Sequence, residues 1–265
     1  MYDFHMHSEH SFDSQAKMED MVLSAIKRNK KVICFTDHID LYFDSHRDLD
    51  FHKSSYFANI DEMKDRYAHK IDIRAGVELG LQSRIIDRYE EFMHASPFDF
   101  VIMSTHAVDD FDLHEDEFFQ GLSGIEALEK YYKAVYDSIK EFKDFDVLGH
   151  LDYFDRYLIK RYEMPPYDDY QPMVEAILKL LIENGKGIEL NTSGLRYGLD
   201  YAHPKVEILK LYKELGGEII TIGSDAHYPE DLGYGYEAAK NLLRDLDFNY
   251  IHIFKNRKSS PISIK

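Results

Sequence analysis

Residues 5–13 read HMHSEHSFD and set His5, His7, His10 and Asp13 within nine positions. Neutral imidazole and carboxylate are the ligand types expected for Zn²⁺, Mn²⁺ or Fe²⁺. In an extended strand, side chains two apart share a face, so His5 and His7 can grip one ion together. Asp225 and His227, in SDAH, repeat that spacing. His38, Glu78, His106 and His150 add four more ligand-type side chains, each closing a short apolar run. Any one of these features alone fits a solvated tail or a hydrogen-bonded core residue. Together they describe a metal site assembled from distant parts of the chain.

The elements that must bring them together are legible as alternation. Short, β-branched-rich runs cover 2–7, 32–37, 71–78, 98–105, 145–150, 187–193, 218–225 and 250–254, as buried strands do. Helical patterns lie between them. Met18, Met21, Val22, Ala25 and Ile26 share one helical face, as do Met173, Val174, Ile177, Leu180 and Leu181. Pro204 suits the first turn of a helix ending at Gly216–Gly217. Strand–helix alternation throughout implies an α/β fold on a parallel sheet, and no linker or repeat divides residues 1–265, so a single domain is expected. Helix-to-strand links are a few residues long, whereas the strand-to-helix segments 39–58, 107–123 and 151–171 are extended. In a β/α barrel the long loops after the strands build the working face. Residues at strand ends would then converge on one rim.

Composition narrows the partners. With 32 basic against 49 acidic side chains the formal charge is −17, which repels phosphate backbones and anionic lipid. No stable nucleic-acid or membrane partner is expected, and nothing specifies an oligomeric state. Cys34, the one cysteine, sits in the apolar run VICF and reads as a core residue. No run approaches the length of a membrane span, and the opening MYDFHMH lacks a signal-peptide pattern, so the expected location is cytoplasmic.

The ordered set HMHSEHSFDS, FTDH, GVELG, STH, GHLD, NTSG and GSDAH, running from residue 5 to 227, resembles the PHP (polymerase and histidinol phosphatase) superfamily, and within it the monofunctional histidinol-phosphate phosphatases. The resemblance implies a distorted TIM-like (β/α)7 barrel holding up to three divalent ions. One of the eight strand-like runs, 250–254, should then be peripheral. Carried over residue by residue, the pattern implies a first ion on His5, His7, Glu78 and Asp225. A second falls on Asp13, His38 and His227, and a third on Glu78 with His106 and His150. His10 is off register and reads as a neighbour.

Such a site can hydrolyse a phosphomonoester without a protein nucleophile. Metal-bound water loses its proton far more readily than bulk water, and the cations offset charge growing on phosphoryl oxygens. Glu78, Asp225 and His227 would position the attacking hydroxide. Arg156 and Arg196 follow strand ends and offer bidentate contact to phosphate, with Ser193 as a hydroxyl donor. In segment 39–58, Asp40, Tyr42, Phe43, Asp44 and His46 suit a cationic, imidazole-bearing ligand. His52, His69, His94, His114, His203 and His252 read as surface or core.

The implied reaction is hydrolysis of L-histidinol phosphate in histidine biosynthesis. Other PHP phosphoesterases, acting on nucleotides, oligonucleotides or phosphotyrosine, share closely similar ligands. A non-catalytic metal-binding module is a further alternative; an open metal position and anion-binding arginines would distinguish an enzyme from it. An amidohydrolase would share the barrel, but its metal-bridging lysine has no evident counterpart here.

Overall fold

Seven β–α units follow one another along the chain. The computed structural model describes residues 1–49 and 51–265. The strands are β1 (Tyr2–Asp3), β2 (Val32–Phe35), β3 (Asp72–Gly80), β4 (Phe100–Ser104), β5 (Val147–Leu148), β6 (Gly187–Asn191) and β7 (Ile220–Gly223), paired in that order and all parallel. Each is followed by a helix: α1 (Met18–Lys27), α2 (Lys53–Tyr67), α3 (Ile86–Met93), α4 (Gly124–Glu141), α5 (Tyr167–Glu183), α6 (Val206–Glu214) and α7 (Tyr236–Asp245). Past their regular pairing, the first and last strands also meet. Phe4 N donates to Ile222 O at 3.1 Å, Asp225 N to His5 O at 2.8 Å and His7 N to Ala226 O at 2.9 Å. These bonds bring the sheet round into a nearly closed, TIM-like (β/α)7 barrel.

Alternation along the strands explains why the barrel is filled on both sides. Ile33, Phe35, Ile73, Ala75, Val77, Val101, Met103, Ile188 and Ile220 belong to the large core shared with the helices. The intervening Val32, Cys34, Phe100, Ile102 and Val147 form a separate cluster inside the barrel. Met21, Val22 and Ala25 of α1, Tyr131 and Val135 of α4, and Ile177 and Leu181 of α5 supply the helical half of the outer core. Burial of each large side chain contributes about 1.5–3 kcal/mol. Helix starts are fixed locally: Ser123 and Glu126 form a reciprocal capping box on α4. Glu9, from the histidine-rich stretch, accepts from the Met18 N–H at the head of α1 at 2.5 Å, so that loop and its helix are locked together.

The eighth run lies outside the barrel. Tyr250–Lys255 (β8) pairs antiparallel with Lys258–Ser263 (β9). Phe254 packs on Phe100 with ring centroids 4.9 Å apart, and Arg257 donates to Asp146 and Asp144, each at 2.7 Å. The hairpin therefore stops the end of the barrel opposite the long loops. The β9 sequence KSSPIS is polar and contains proline, as suits a hairpin edge, and gave no strand signal. Helix α6 starts at Val206, so Pro204 lies two residues upstream of it rather than in its first turn.

The three long connections carry local structure. Segment 39–58 ends in the first turns of α2, which begins at Lys53. Segment 107–123 folds into a two-stranded ribbon (Ala107–Val108 with Phe111–Asp112) and a helical turn, Asp116–Phe119. Segment 151–171 holds the turn Asp155–Leu158 and then enters α5. Among the described residues no helix is long and apolar enough to cross a membrane.

Candidate metal centre

The site begins where β1 runs out. Met6 points into the outer core, while His5 and His7 are fully buried with Nε2 atoms 3.1 Å apart. The turn that follows hangs on Asp37, which accepts from Ser8 N at 2.6 Å, Ser8 Oγ at 2.9 Å and Ser11 Oγ at 2.8 Å. Having donated its proton to Asp37, Ser11 Oγ accepts from His7 Nδ1 at 3.0 Å and from His38 N at 3.0 Å. His10 turns away and meets Asn59 Nδ2 at 3.1 Å and the edge of Tyr56.

Glu78, at the end of β3, is the hub. Its Oε2 lies 3.0 Å from His5 Nε2, 3.1 Å from His38 Nδ1 and 3.5 Å from His7 Nε2. Its Oε1 lies 2.8 Å from His150 Nε2 and 3.2 Å from His106 Nε2, and accepts from Ser104 Oγ at 2.6 Å. Asp225 Oδ1 stands 3.2 Å from His7 Nε2 and 3.6 Å from His5 Nε2. Asp13 Oδ2 lies 2.9 Å from His227 Nε2 and 3.5 Å from His38 Nε2. Every ligand-type residue expected from the sequence is thus within this cluster. The groupings interlock more than expected: His7 stands with Asp13, His38 and His227 as well as with His5 and Asp225, and His5 also groups with Glu78 and His150.

The partners dictate tautomers. His5 Nδ1 faces Glu189 Oε1 at 2.7 Å, His106 Nδ1 faces Asp40 Oδ1 at 2.9 Å and His227 Nδ1 faces the Asp225 carbonyl at 3.1 Å. Each of those oxygens can only accept, so in the neutral ring Nδ1 carries the proton, as it does in His7. The Nε2 lone pairs then point inward, at carboxylate oxygens and at each other. Acceptor faces acceptor, and among the described residues no lysine or arginine forms an ion pair with Asp13, Glu78 or Glu189, or with Asp225. A buried cluster of this kind requires protons or cations between its members. Its oxygen and nitrogen donors fit divalent metal ions.

Electrostatics point the same way. Burial and the neighbouring His227 and His38 rings push His7 down to about 3, keeping it neutral. Glu78 is held well below the usual carboxylate range: burial opposes this, but the rings of His5, His38 and His106 outweigh it. His38 is raised to about 9 against its burial, by Glu78 and Asp13.

Above the cluster opens a cavity of about 640 Å³. Arg156 forms one wall, with its guanidinium 3.8 Å above the Tyr153 ring and Nη2 donating to Tyr157 Oη at 2.9 Å. Its Nη1 is buried and has no hydrogen-bond partner among the described residues. The turn beneath it is pinned by Asp152, which pairs with His203 Nδ1 at 2.5 Å and accepts from Lys205 N at 2.7 Å. The opposite wall holds Tyr42 and Arg47 with Asp112, which accepts from Tyr42 Oη at 2.6 Å and from Arg47 Nη2 at 3.3 Å.

Two expectations need correction. Arg196 does not line this cavity: its Nη1 and Nη2 donate to the carbonyls of Ser224 and Asp225, each at 2.8 Å. It braces the turn that presents Asp225, whose φ of 54° an aspartate tolerates. Ser193 is also off the cavity wall, because a tight helical turn over Thr192–Leu195 carries it under the surface. Within segment 39–58, Asp40 and Tyr42 reach the cavity, whereas Phe43, Asp44 and His46 remain exposed. His114, read as an ordinary surface or core histidine, lines the cavity too.

Sequence reasoning passed over Glu189, a carboxylate in the middle of an apolar strand and visible as such in GIELN. Asp40, expected only at the bound ligand, is also the partner that orients His106. A Cβ on Gly80 would overlap Asp40 Oδ1, so the glycine is what admits the Asp40–His106 pair.

A family model of the PHP domain matches residues 3–193. The chain belongs to the PHP family. Across this PHP barrel the likeness extends beyond the matched segment. Histidinol-phosphatase of Lactococcus lactis subsp. lactis is 30% identical over 269 residues, covering 97% of each chain. Histidinol-phosphatase of Bacillus subtilis is 30% identical over 240 residues, covering 81% of this chain and 88% of its own. Among solved structures, histidinol phosphate phosphatase from Lactococcus lactis, complexed with zinc, L-histidinol and phosphate, superposes with a TM-score of 0.87 at 29% identity, covering 98% of each chain.

Proposed function

We propose that this PHP barrel hydrolyses L-histidinol phosphate to L-histidinol and phosphate, as a metal-dependent step of histidine biosynthesis in the cytoplasm, with residues 1–265 acting as one catalytic domain. The observation that carries the reading is the full-length likeness to an enzyme solved with zinc, L-histidinol and phosphate.

In this reading three divalent ions (Zn²⁺, Mn²⁺ or Fe²⁺) occupy the centre. His5, His7, Glu78 and Asp225 would hold one, Asp13, His38 and His227 a second, and Glu78 with His106 and His150 the third. Glu78 would be shared between ions, since Oε2 meets His5 and His7 while Oε1 meets His106 and His150. Bound ions supply Lewis acidity to the phosphoryl oxygens and lower the pKa of water.

The chain's own groups do the rest. Glu78, Asp225 and His227 orient the attacking water. Arg156 offers Nη1, which has no partner among the described residues, to a phosphoryl oxygen from the cavity wall. Stacking on Tyr153 holds the guanidinium in place before substrate arrives. Tyr42, Arg47 and Asp112 close the far side around the alcohol moiety. Cys34 takes no part, since its thiol is buried in β2 and burial pushes it well above its ordinary range.

Phosphate release across a panel of phosphomonoesters tests the substrate. L-Histidinol phosphate should be turned over with a higher kcat/KM than nucleoside monophosphates or phosphotyrosine. A preference for either of those would assign the centre to another PHP phosphoesterase.

A further inference from the structure

Glu189 sits in the middle of β6, almost fully buried, on the side of the sheet that faces the barrel interior. Its Oε1 accepts a hydrogen bond from His5 Nδ1 at 2.7 Å. Its Oε2 accepts from the His150 backbone N–H at 3.1 Å and from Asn191 Nδ2 at 3.1 Å. One carboxylate thus touches the ring of one candidate ligand and the backbone of another, from strands on opposite sides of it. Space for it is provided by Gly223 of β7, where a Cβ would overlap both Glu189 Oε1 and the Cβ of His5.

Three acceptances satisfy the hydrogen bonding of Glu189 but not its charge. Among the described residues its only ion-pair partner is His5, whose other nitrogen already faces Glu78 Oε2 at 3.0 Å. A buried carboxylate with no cation is costly, whereas one that reaches a cation through an imidazole is balanced.

We infer that Glu189 is a positioning residue of the metal centre: it fixes His5 as the Nδ1–H tautomer, aims the Nε2 lone pair at the cluster, and has its charge balanced through His5 once a divalent ion is bound. This rests on the metal-dependent reading above. It predicts that removing the charge weakens metal binding without erasing the fold.

The test is zinc affinity of Glu189→Gln, measured on chelator-stripped protein against a competing dye. The variant should bind zinc about 10–100-fold more weakly than wild type. The rise in melting temperature on adding zinc should shrink as well. A residue with a merely structural role would lower the stripped and the zinc-loaded protein equally and leave affinity alone, and that result overturns the inference. Should the variant not fold, ¹⁵N NMR of histidine-labelled, zinc-loaded wild type decides: a protonated His5 Nδ1 supports the inference, and a protonated Nε2 overturns it. If wild type binds no zinc at all, the metal-dependent reading falls first; if wild type binds and the variant matches it, only the role of Glu189 falls.

Discussion

The two ends of the barrel bury opposite chemistry on the same strands. At the hairpin end, Phe4, Val32, Cys34, Phe100, Ile102, Val147 and Phe254 fill the interior, and the nearby carboxylates Asp144 and Asp146 are answered by Arg257. At the loop end, His5, His7, Glu78, His150 and Glu189 are just as buried, but no lysine or arginine among the described residues pairs with Glu78 or Glu189. One end is complete as the chain folds; the other is complete only when cations join it. Stability and function are thereby separated along a single barrel axis, a few residues apart on each strand.

Substitutions at the two ends should therefore fail differently. Phe254→Ala opens a void among apolar rings and should cost about 3–5 kcal/mol of stability, read by chemical denaturation, while metal content per folded molecule stays at the wild-type level. His150→Ala should reduce phosphate release by about 10²–10³-fold and lower bound metal, with the circular dichroism spectrum preserved. Wild-type turnover in that variant would remove His150 from the site.

The pH dependence sharpens the contrast further. In chelator-stripped protein, His38 is raised to about 9 because Glu78 and Asp13 outweigh its burial. Its contribution is fully present below about pH 6.5 and is lost as pH rises through about 9, by about 3 kcal/mol at most. Metal binding must displace that proton, so apparent zinc affinity should rise over the same interval. Equilibrium melts with and without zinc from pH 6 to 9 should diverge. Parallel curves would show that zinc binding is not linked to the His38 proton.

The smallest effect is expected on the cavity wall. Arg156→Gln keeps a polar side chain but removes a charged donor, which should lower kcat/KM by about 10–100-fold and leave bound metal unchanged. Loss of metal in that variant would move Arg156 from the substrate side of the comparison to the metal side.

How far the sequence carried depends on which kind of information a residue obeys. His5, His7, Glu78 and Asp225 could be read because strand-end position and period-two spacing are local properties, and a parallel barrel turns them into one rim. Arg196 obeyed the same position rule, yet its guanidinium reaches back to the carbonyls of residues 224 and 225. Chain position sets which end of the barrel a side chain occupies, not which way it turns. Glu189 is illegible for the converse reason: it is mid-strand, and only the packing of β6 with the ends of β5 and β1 shows that its neighbours are His150 and His5. The Tyr42–Arg47–Asp112 wall joins two loops that no periodicity relates. The β9 strand of the hairpin was invisible because KSSPIS owes its conformation to its partner rather than to its own propensity.

On this reading the loop end becomes active only with its cations. Phosphate release from L-histidinol phosphate, measured on chelator-stripped protein before and after re-addition of Zn²⁺ or Mn²⁺, tests it most directly. Turnover should be negligible in the stripped protein and should recover as the ions return. Full turnover by protein shown by elemental analysis to hold no metal would contradict it.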